Sequence, residues 1–132
     1  MKKYNFLIHN LLLIAILLGW ASSSRADVDI IGKWNGKWVS DARGQSGPLV
    51  ATFSKNEKGD IQAIFEGRFF KILPFRFVVP LTIKEEKPES LILNGRMDAG
   101  DLFGTFDYII EATNDAVEVK YSSERDHGVF SV

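Results

Sequence analysis

The chain contains no cysteine, and this absence excludes several classes of site at once. Disulfides, thiolate nucleophiles and cysteine-bound metals are impossible, as is a lipid-modified cysteine behind an export signal. Helical patterning is also absent after residue 26, because no segment there shows the i, i+3, i+4, i+7 apolar spacing of an amphipathic helix. The folded part must therefore be stabilised by packing alone, and its elements are predicted to be strands.

Excess positive charge is lacking too. The sequence has 16 Lys and Arg against 17 Asp and Glu. Three of the cations, Lys2, Lys3 and Arg25, precede a predicted cleavage point, and without them the balance is 13 against 17, a net charge of −4. An acidic domain with no Lys/Arg cluster offers no electrostatic reason to bind nucleic acid.

Residues 1–26 have the pattern of a cleaved export signal. Two lysines open the chain, an apolar run covers 11–18, and Ser24-Arg25-Ala26 places small residues around a cleavage site. We therefore predict a mature chain that starts at Asp27 and works in the periplasm or as a secreted protein. Residues 27–132 are long enough for one domain and too few for two.

A retained membrane anchor is the alternative interpretation of this segment. His9 and Asn10 interrupt the apolar stretch between Phe6 and Ala21. A spanning helix usually has about 20 uninterrupted apolar residues. The interruption favours cleavage, and nothing in the mature chain predicts a stable helical membrane span.

Alternation with a period of two recurs from residue 30 to the C-terminus and predicts about eight strands. The first strand covers Ile30–Ser40, and short polar turns separate most of the others. Eight sequential strands with one apolar face remove their edges by closing into an up-and-down antiparallel barrel. Pro80 is the local misfit, because it lacks a backbone donor, and we expect a bulge or break there.

Parity predicts a register for the hairpins, since residues on the apolar face should lie opposite one another. The predicted partners are Phe53 with Ile61, Phe69 with Phe75, Gly95 with Gly104, and Tyr108 with Val119. The inward face carries many large rings, so the interior is predicted to be mostly filled. These rings are Trp34, Trp38, Phe53, Phe65, Phe69, Phe75, Phe77, Phe106, Tyr108 and Tyr121. If the barrel has a cavity instead, we expect Trp34, Trp38, Phe77 and Tyr108 to bind a small apolar or amphipathic ligand.

Two resemblances accompany this pattern. Gly32-Lys33-Trp34 resembles the Gly-x-Trp opening strand of the lipocalin and avidin-like calycin barrels, and a tryptophan packed in the core is the simpler explanation. A longer set of segments is similar to small exported bacterial proteins of unassigned function. Those segments are Trp34–Trp38, Ser46–Leu49, Phe65–Lys71, Pro74–Phe77 and Asp126–Phe130. The resemblances imply a small, calycin-like barrel and no activity.

The turn from Phe69 to Phe75 is the most unusual local feature, because hairpin turns are normally polar and this one is almost wholly apolar. One interpretation is a lid that buries Ile72 and Leu73 against the barrel end, since small monomers rarely expose such a patch. The other is a docking tip, formed by Phe70, Ile72 and Leu73, for a partner, a lipid surface or a cavity entrance.

Arg68 and Arg76 are predicted to lie opposite each other on the outer face. Two adjacent like charges are unfavourable unless something negative lies between them. Glu66 on the same face supplies that charge in the simpler interpretation. The sharper hypothesis is a carboxylate or phosphate site between the two guanidinium groups.

No residue pattern indicates catalysis, a metal or a cofactor. His127 is the only histidine after the signal, and its neighbours Arg125 and Asp126 are better explained as turn residues than as a catalytic group. Asp98 and Asp101 provide too few oxygens for calcium and are expected to cap a turn.

The sequence therefore favours a non-enzymatic binding module of the cell envelope over an enzyme. Its ligand is expected to be a small amphipathic molecule or an envelope protein. The alternative is a structural or protein-interaction module with a filled core and the apolar turn as its docking site. An outer-membrane barrel is a minor alternative, because most strands are shorter than the about 9–11 residues that a spanning strand needs. Oligomeric state is left open.

Overall fold

The structure is a computed structural model that describes residues 28–132. The predicted signal, its cleavage after Ala26 and the start at Asp27 lie outside the described residues. Residues 28–132 form eight antiparallel strands, joined in chain order into one closed barrel, which confirms the predicted meander. The strands are β1 (Gly32–Ser40), β2 (Ser46–Lys55), β3 (Ile61–Phe69), β4 (Leu73–Glu86), β5 (Leu91–Asp98), β6 (Thr105–Ala112), β7 (Val117–Ser122) and β8 (His127–Ser131).

The interior is filled by the side chains that alternation placed there. Along β6 and β7 every second residue is buried. All ten predicted inward rings belong to the core or pack against it, with Phe130 of β8 as an addition. Phe65 lies near the centre, stacked on Tyr108 with ring centroids 5.5 Å apart and tilted against Phe130 at 4.9 Å. Aromatic packing therefore occupies most of the volume that a larger barrel would leave for a ligand.

The barrel closes where β1 pairs with β8, from Lys37 opposite Ser131 to Ser40 opposite Gly128. A Cβ atom on Gly36 would overlap the carbonyl of Ser131, and one on Gly128 would overlap the carbonyl of Val39. Glycine is needed at these two positions because the first and last strands approach so closely there.

The predicted registers have the correct parity and the wrong partners. Phe53 lies opposite Ala63, Phe69 opposite Leu73, Gly95 opposite Tyr108, and Tyr108 opposite Tyr121. Each prediction is therefore displaced by two residues, or by four in the case of Gly95. Parity fixes which face a residue occupies, whereas the register depends on the conformation of each turn, which alternation does not specify.

The irregularity expected at Pro80 is found on one side of β4 only. Pairing with β3 continues through Gln62 opposite Pro80, whereas pairing with β5 begins at Leu81 opposite Gly95. A Cβ atom on Gly95 of β5 would lie 2.8 Å from the Pro80 carbonyl. Pro80 therefore directs its backbone hydrogen-bonding groups toward β5. Proline has no N–H to donate there, and the ladder stops. The bulge itself lies further on, between Ile83 and Glu85.

Antiparallel order places alternate turns at opposite ends of the barrel. We call one the tip end, with the turns 41–45, 70–72, 99–104 and 123–126. The other is the N-terminal end, with the segment 28–31 and the turns 56–60, 87–90 and 113–116. Within 28–132 there is no helix long and apolar enough to cross a membrane.

Candidate functional site at the tip end

The apolar turn between β3 and β4 projects into solvent. Phe70 is 64% exposed, Ile72 77% and Leu73 57%. The interpretation as a lid, with Ile72 and Leu73 packed against the core, is therefore wrong. Phe69, by contrast, turns inward and packs between Phe75 and Phe103, with centroid distances of 4.6 and 5.8 Å. The turn is anchored by one ring and presents its other apolar side chains outward.

The backbone of this turn has an unfavourable conformation for its residues. Phe70 and Lys71 have φ of +53° and +67°, and the Ile72 N–H donates to the Phe69 carbonyl at 3.1 Å. Positive φ at both central residues is the mark of a type I′ turn, which strongly prefers Asn-Gly. They are the only residues of 28–132 other than glycine with positive φ. Strain of this kind collects at functional sites.

The neighbouring turn adds a fourth apolar side chain, that of Leu102, which is 71% exposed. The predicted register placed Gly104 on a strand opposite Gly95, but β6 begins only at Thr105. Residues 99–104 instead form a loop that is closed by the Ala99 N–H on the Gly104 carbonyl at 2.9 Å. Phe103 of this loop stacks on Phe69 and so ties the two turns together. The sequence signal for this apolar loop was the adjacent pair Leu102 and Phe103, directly after a polar turn.

The register separates the two arginines of the predicted anion site. Arg68 lies opposite Pro74, and Arg76 lies opposite Glu66. The prediction that the guanidinium groups face each other is therefore wrong, because the hairpin pairs two residues away from the expected register. In 28–132 the ion pairs within 4 Å involve neither arginine. Arg68 is instead close to the turn that carries Lys71.

A groove on the outer wall lies beside the tip. It is lined by Arg68 and Lys71, by Ser46 and Pro48 of β2, and by Pro74. Glu66 contributes the one carboxylate, at the end of the lining set further from the turn along β3. The groove has a volume of about 730 Å³ and is open to solvent. Two cations and a hydroxyl beside an apolar turn form an amphipathic surface.

Inside the barrel the same end contains a small cavity. Trp38, Phe77 and Tyr108 line it, so the fold brings together three of the four predicted ligand-binding residues. Its volume is about 40 Å³, far below the about 300–1,000 Å³ of typical small-molecule sites. Trp34 lies elsewhere and donates its indole N–H to the Ile30 carbonyl at 2.9 Å, toward the N-terminal end.

One wall of this cavity is polar. The Asp126 carboxylate accepts hydrogen bonds from the Ser40 hydroxyl at 2.6 Å and from the Tyr121 hydroxyl at 3.2 Å. Burial raises the pKa of Tyr121, and the negative charge of Asp126 raises it further. Burial likewise raises the pKa of Tyr108. Both phenols therefore stay protonated at physiological pH.

Sequence reasoning missed the groups that surround this wall. Arg43 and Arg125 line the cavity from its mouth, and Arg125 donates to the Leu102 carbonyl at 2.6 Å. Ser40 is the buried polar residue of the described core. The indole N–H of Trp38 is buried without a hydrogen-bond partner within 28–132. No local pattern marks these residues, because turns from three hairpins bring them together.

The candidate polar clusters take structural roles. His127 lies 3.8 Å from Asp41 at the surface, and its backbone N–H donates to Asp126. Asp98 accepts from the Gly100 N–H at 2.9 Å and caps its turn, as predicted. Among the residues that the structure describes, no three His, Cys, Asp or Glu side chains converge as a metal site would require.

Comparison with known proteins identifies no relative. No family model, no curated protein and no solved structure matches this chain. The class of protein is therefore defined by the fold alone, a small closed antiparallel barrel with an aromatic core and an exposed apolar turn.

Proposed function

We propose that this protein is an exported, non-enzymatic module of the cell envelope that docks onto a membrane surface through its tip. The tip consists of the apolar side chains of Phe70, Ile72, Leu73 and Leu102. The observation that carries the proposal is the exposure of these four side chains, each more than half accessible to solvent. Full burial of such a side chain is worth about 1.5–3 kcal/mol, so leaving four in water is costly unless they have a partner.

The backbone conformation supports a function for the tip. A sequence selected only for stability would place Asn-Gly at the turn, and Phe70-Lys71 is instead held at positive φ. In the other turns of this end the positive φ falls on glycine, at Gly44, Gly100 and Gly104. The exception is thus confined to the hairpin that projects apolar side chains.

The size and shape of the tip favour a lipid surface over a protein. A standard protein interface takes about 20–30 residues from each partner. Four apolar residues on two adjoining turns are far fewer, and they form a projection rather than a face. Insertion by about 5–10 Å into the headgroup and acyl boundary needs only a small apolar projection. An interfacial bilayer partner therefore fits the tip best.

The experiment replaces Ile72 and Leu73 with serine and measures binding to phospholipid vesicles by sedimentation. We expect partitioning to fall about 100-fold, which corresponds to about 3 kcal/mol of lost apolar burial. The melting temperature should stay unchanged, because both side chains are already exposed. All variants are compared in the same full chain, so that any contribution of residues 1–27 is common to them.

The matched control is Ile109→Ser on the outer wall of β6. Ile109 is 58% exposed and apolar, but it lies on the barrel side and not at the tip. It should leave vesicle binding unchanged. An equal loss of vesicle binding in Ile109→Ser and in the tip variant would show that general surface hydrophobicity causes the binding. No loss of vesicle binding in either variant would refute membrane docking. A large fall in melting temperature of the tip variant would restore the lid interpretation.

Binding of a small amphipathic ligand is the second candidate function. It is favoured by the convergence of Trp38, Phe77 and Tyr108 on one cavity with Arg43 and Arg125 at its mouth. It is opposed by the cavity volume of about 40 Å³, which holds a few waters rather than a ligand. Native mass spectrometry of protein purified from its own host's envelope decides between them. A co-purifying small molecule supports this candidate, and a bare chain removes it.

A further inference from the structure

One stretch of chain beside the tip carries cations and no acid, although the domain as a whole is acidic. Between residues 67 and 78 the chain carries Arg68, Lys71 and Arg76 and no acid. All three are free of ion pairs within the described residues, where the bridges join other side chains. An apolar turn flanked by unpaired cations matches the boundary between acyl chains and negatively charged headgroups.

Strand geometry decides which cations reach that boundary. Arg68 precedes Phe70 by two residues, which places its backbone about 7 Å below the turn at about 3.3 Å per residue. This distance matches the insertion depth of about 5–10 Å for interfacial segments. Lys71 is in the turn itself, and its long side chain can extend back to the headgroups. Arg76 is about 13 Å from Ile72 and lies opposite Glu66.

The outer groove gives the two nearer cations a common target. Arg68, Lys71 and the Ser46 hydroxyl line one open groove beside Pro74. Guanidinium, ammonium and hydroxyl groups are donors, and a phosphate presents acceptor oxygens with a negative charge. Glu66 at the other end of the lining would repel an anion there and keeps the phosphate near the turn.

We infer that this groove binds the phosphate of an anionic phospholipid headgroup while the tip enters the acyl boundary. The inference rests on the proposed membrane docking and adds selectivity for an anionic leaflet. The apolar side chains supply attachment, and Arg68 with Lys71 supplies the choice of lipid. A bilayer without anionic lipid should therefore be bound more weakly, but still through the tip.

The test compares phosphatidylcholine vesicles with vesicles in which about a third of this lipid is replaced by phosphatidylglycerol. The native chain should prefer the anionic vesicles. Each of Arg68→Gln and Lys71→Gln should reduce binding to them about 5-fold, and the pair about 25-fold, in line with the electrostatic gain per cation near an anionic surface. Binding to the neutral vesicles should fall less in both variants, because the choline ammonium of phosphatidylcholine balances the charge of its own phosphate.

Two control variants use the same change of charge. Arg76→Gln removes a cation of the same hairpin that lies further from the turn. It should reduce binding less than 2-fold. Lys58→Gln changes the turn at the N-terminal end, on the far side of the barrel, and should have no effect. An equal loss in all four single variants would indicate net charge alone and would overturn the groove assignment.

The remaining outcomes separate the lipid from other sources of phosphate and separate the two proposals. If glycerol 3-phosphate competes with vesicles only at high concentration, the groove is a headgroup site. If inorganic phosphate binds tightly without vesicles, the groove is a site for free phosphate, and the assignment to a lipid headgroup is overturned. If the native chain binds neutral and anionic vesicles equally, the inference fails and the docking stands. If it binds neither, both fail.

Discussion

The two ends of the barrel solve the same problem of joining strands in different ways. At the N-terminal end the Asn56 side chain accepts hydrogen bonds from the backbone N–H groups of Lys58 and Asp60, both at 2.9 Å. Gly59 takes the positive φ, and Ile30 closes the end from inside with 1% exposure. At the tip end Phe70 and Lys71 take positive φ, and apolar side chains face water.

This difference shows at which end the residues are not those that would make the fold most stable. The N-terminal end satisfies its turns with polar side chains and buries Ile30, and Ile31 beside it is 42% exposed. The tip end leaves apolar groups exposed, holds two bulky residues in a strained turn and keeps β4 unpaired with β5 before Leu81. Departures from local rules that cluster in one place are typical of a functional surface.

The largest expected effect comes from truncating isoleucine at each end. Ile30→Ala should cost about 2–5 kcal/mol of unfolding free energy, because it empties a fully buried site. Ile72→Ala, the same change at the tip, should cost less than about 0.5 kcal/mol, because the side chain is exposed. Urea unfolding measures both. Similar losses in the two variants would abolish the contrast between the ends.

Alkaline pH should destabilise the protein through the tyrosines of the tip-end cavity. Burial raises the pKa of Tyr108 and of Tyr121 above 10 in the folded state, so the unfolded chain releases these protons first. The contribution of the two phenols to the free energy of unfolding is fully present below pH about 10. It falls as the pH rises further, by about 1.4 kcal/mol per pH unit for each phenol.

Melting temperatures measured from pH 8 to about 11 test this dependence. Tyr108→Phe removes one of the two groups and should flatten the decline by about half. A decline of unchanged steepness in Tyr108→Phe would show that other groups, and not the buried phenols, control the alkaline transition.

A smaller effect of opposite sign is expected from correcting the strained turn. Replacing Phe70 and Lys71 with Asn and Gly gives a type I′ turn its preferred residues and should stabilise the fold by about 1–2 kcal/mol. The same variant should lose vesicle binding, because Phe70 and Lys71 belong to the proposed docking surface. Gly59→Ala, a matched change at the N-terminal end, should cost about 1 kcal/mol, since alanine fits positive φ poorly. If chemical denaturation shows that the Asn-Gly variant is less stable than the native chain, the native turn is not strained.

Much of the fold and part of the site could be predicted from the sequence. The face occupied by Trp38, Phe65 and Tyr108 follows from alternation, because a strand repeats its orientation every two residues. The unusual composition of the turn at Ile72 and Leu73 was equally visible. Neither observation says whether a turn folds back or projects, because that depends on the space left by the rings beneath it.

The sequence by itself determined an eight-stranded antiparallel barrel, the faces of its strands and the identity of its one apolar turn, since these depend on local periodicity and turn chemistry. Only the tertiary structure decided the rest. Turn conformation shifted each register and set Arg76 opposite Glu66 instead of Arg68. Closure of the barrel brought Ser40, Tyr121 and Asp126 together from distant turns and reduced the interior to a small cavity. Registers and cavities arise from contacts between residues far apart in the chain, and no local pattern encodes them.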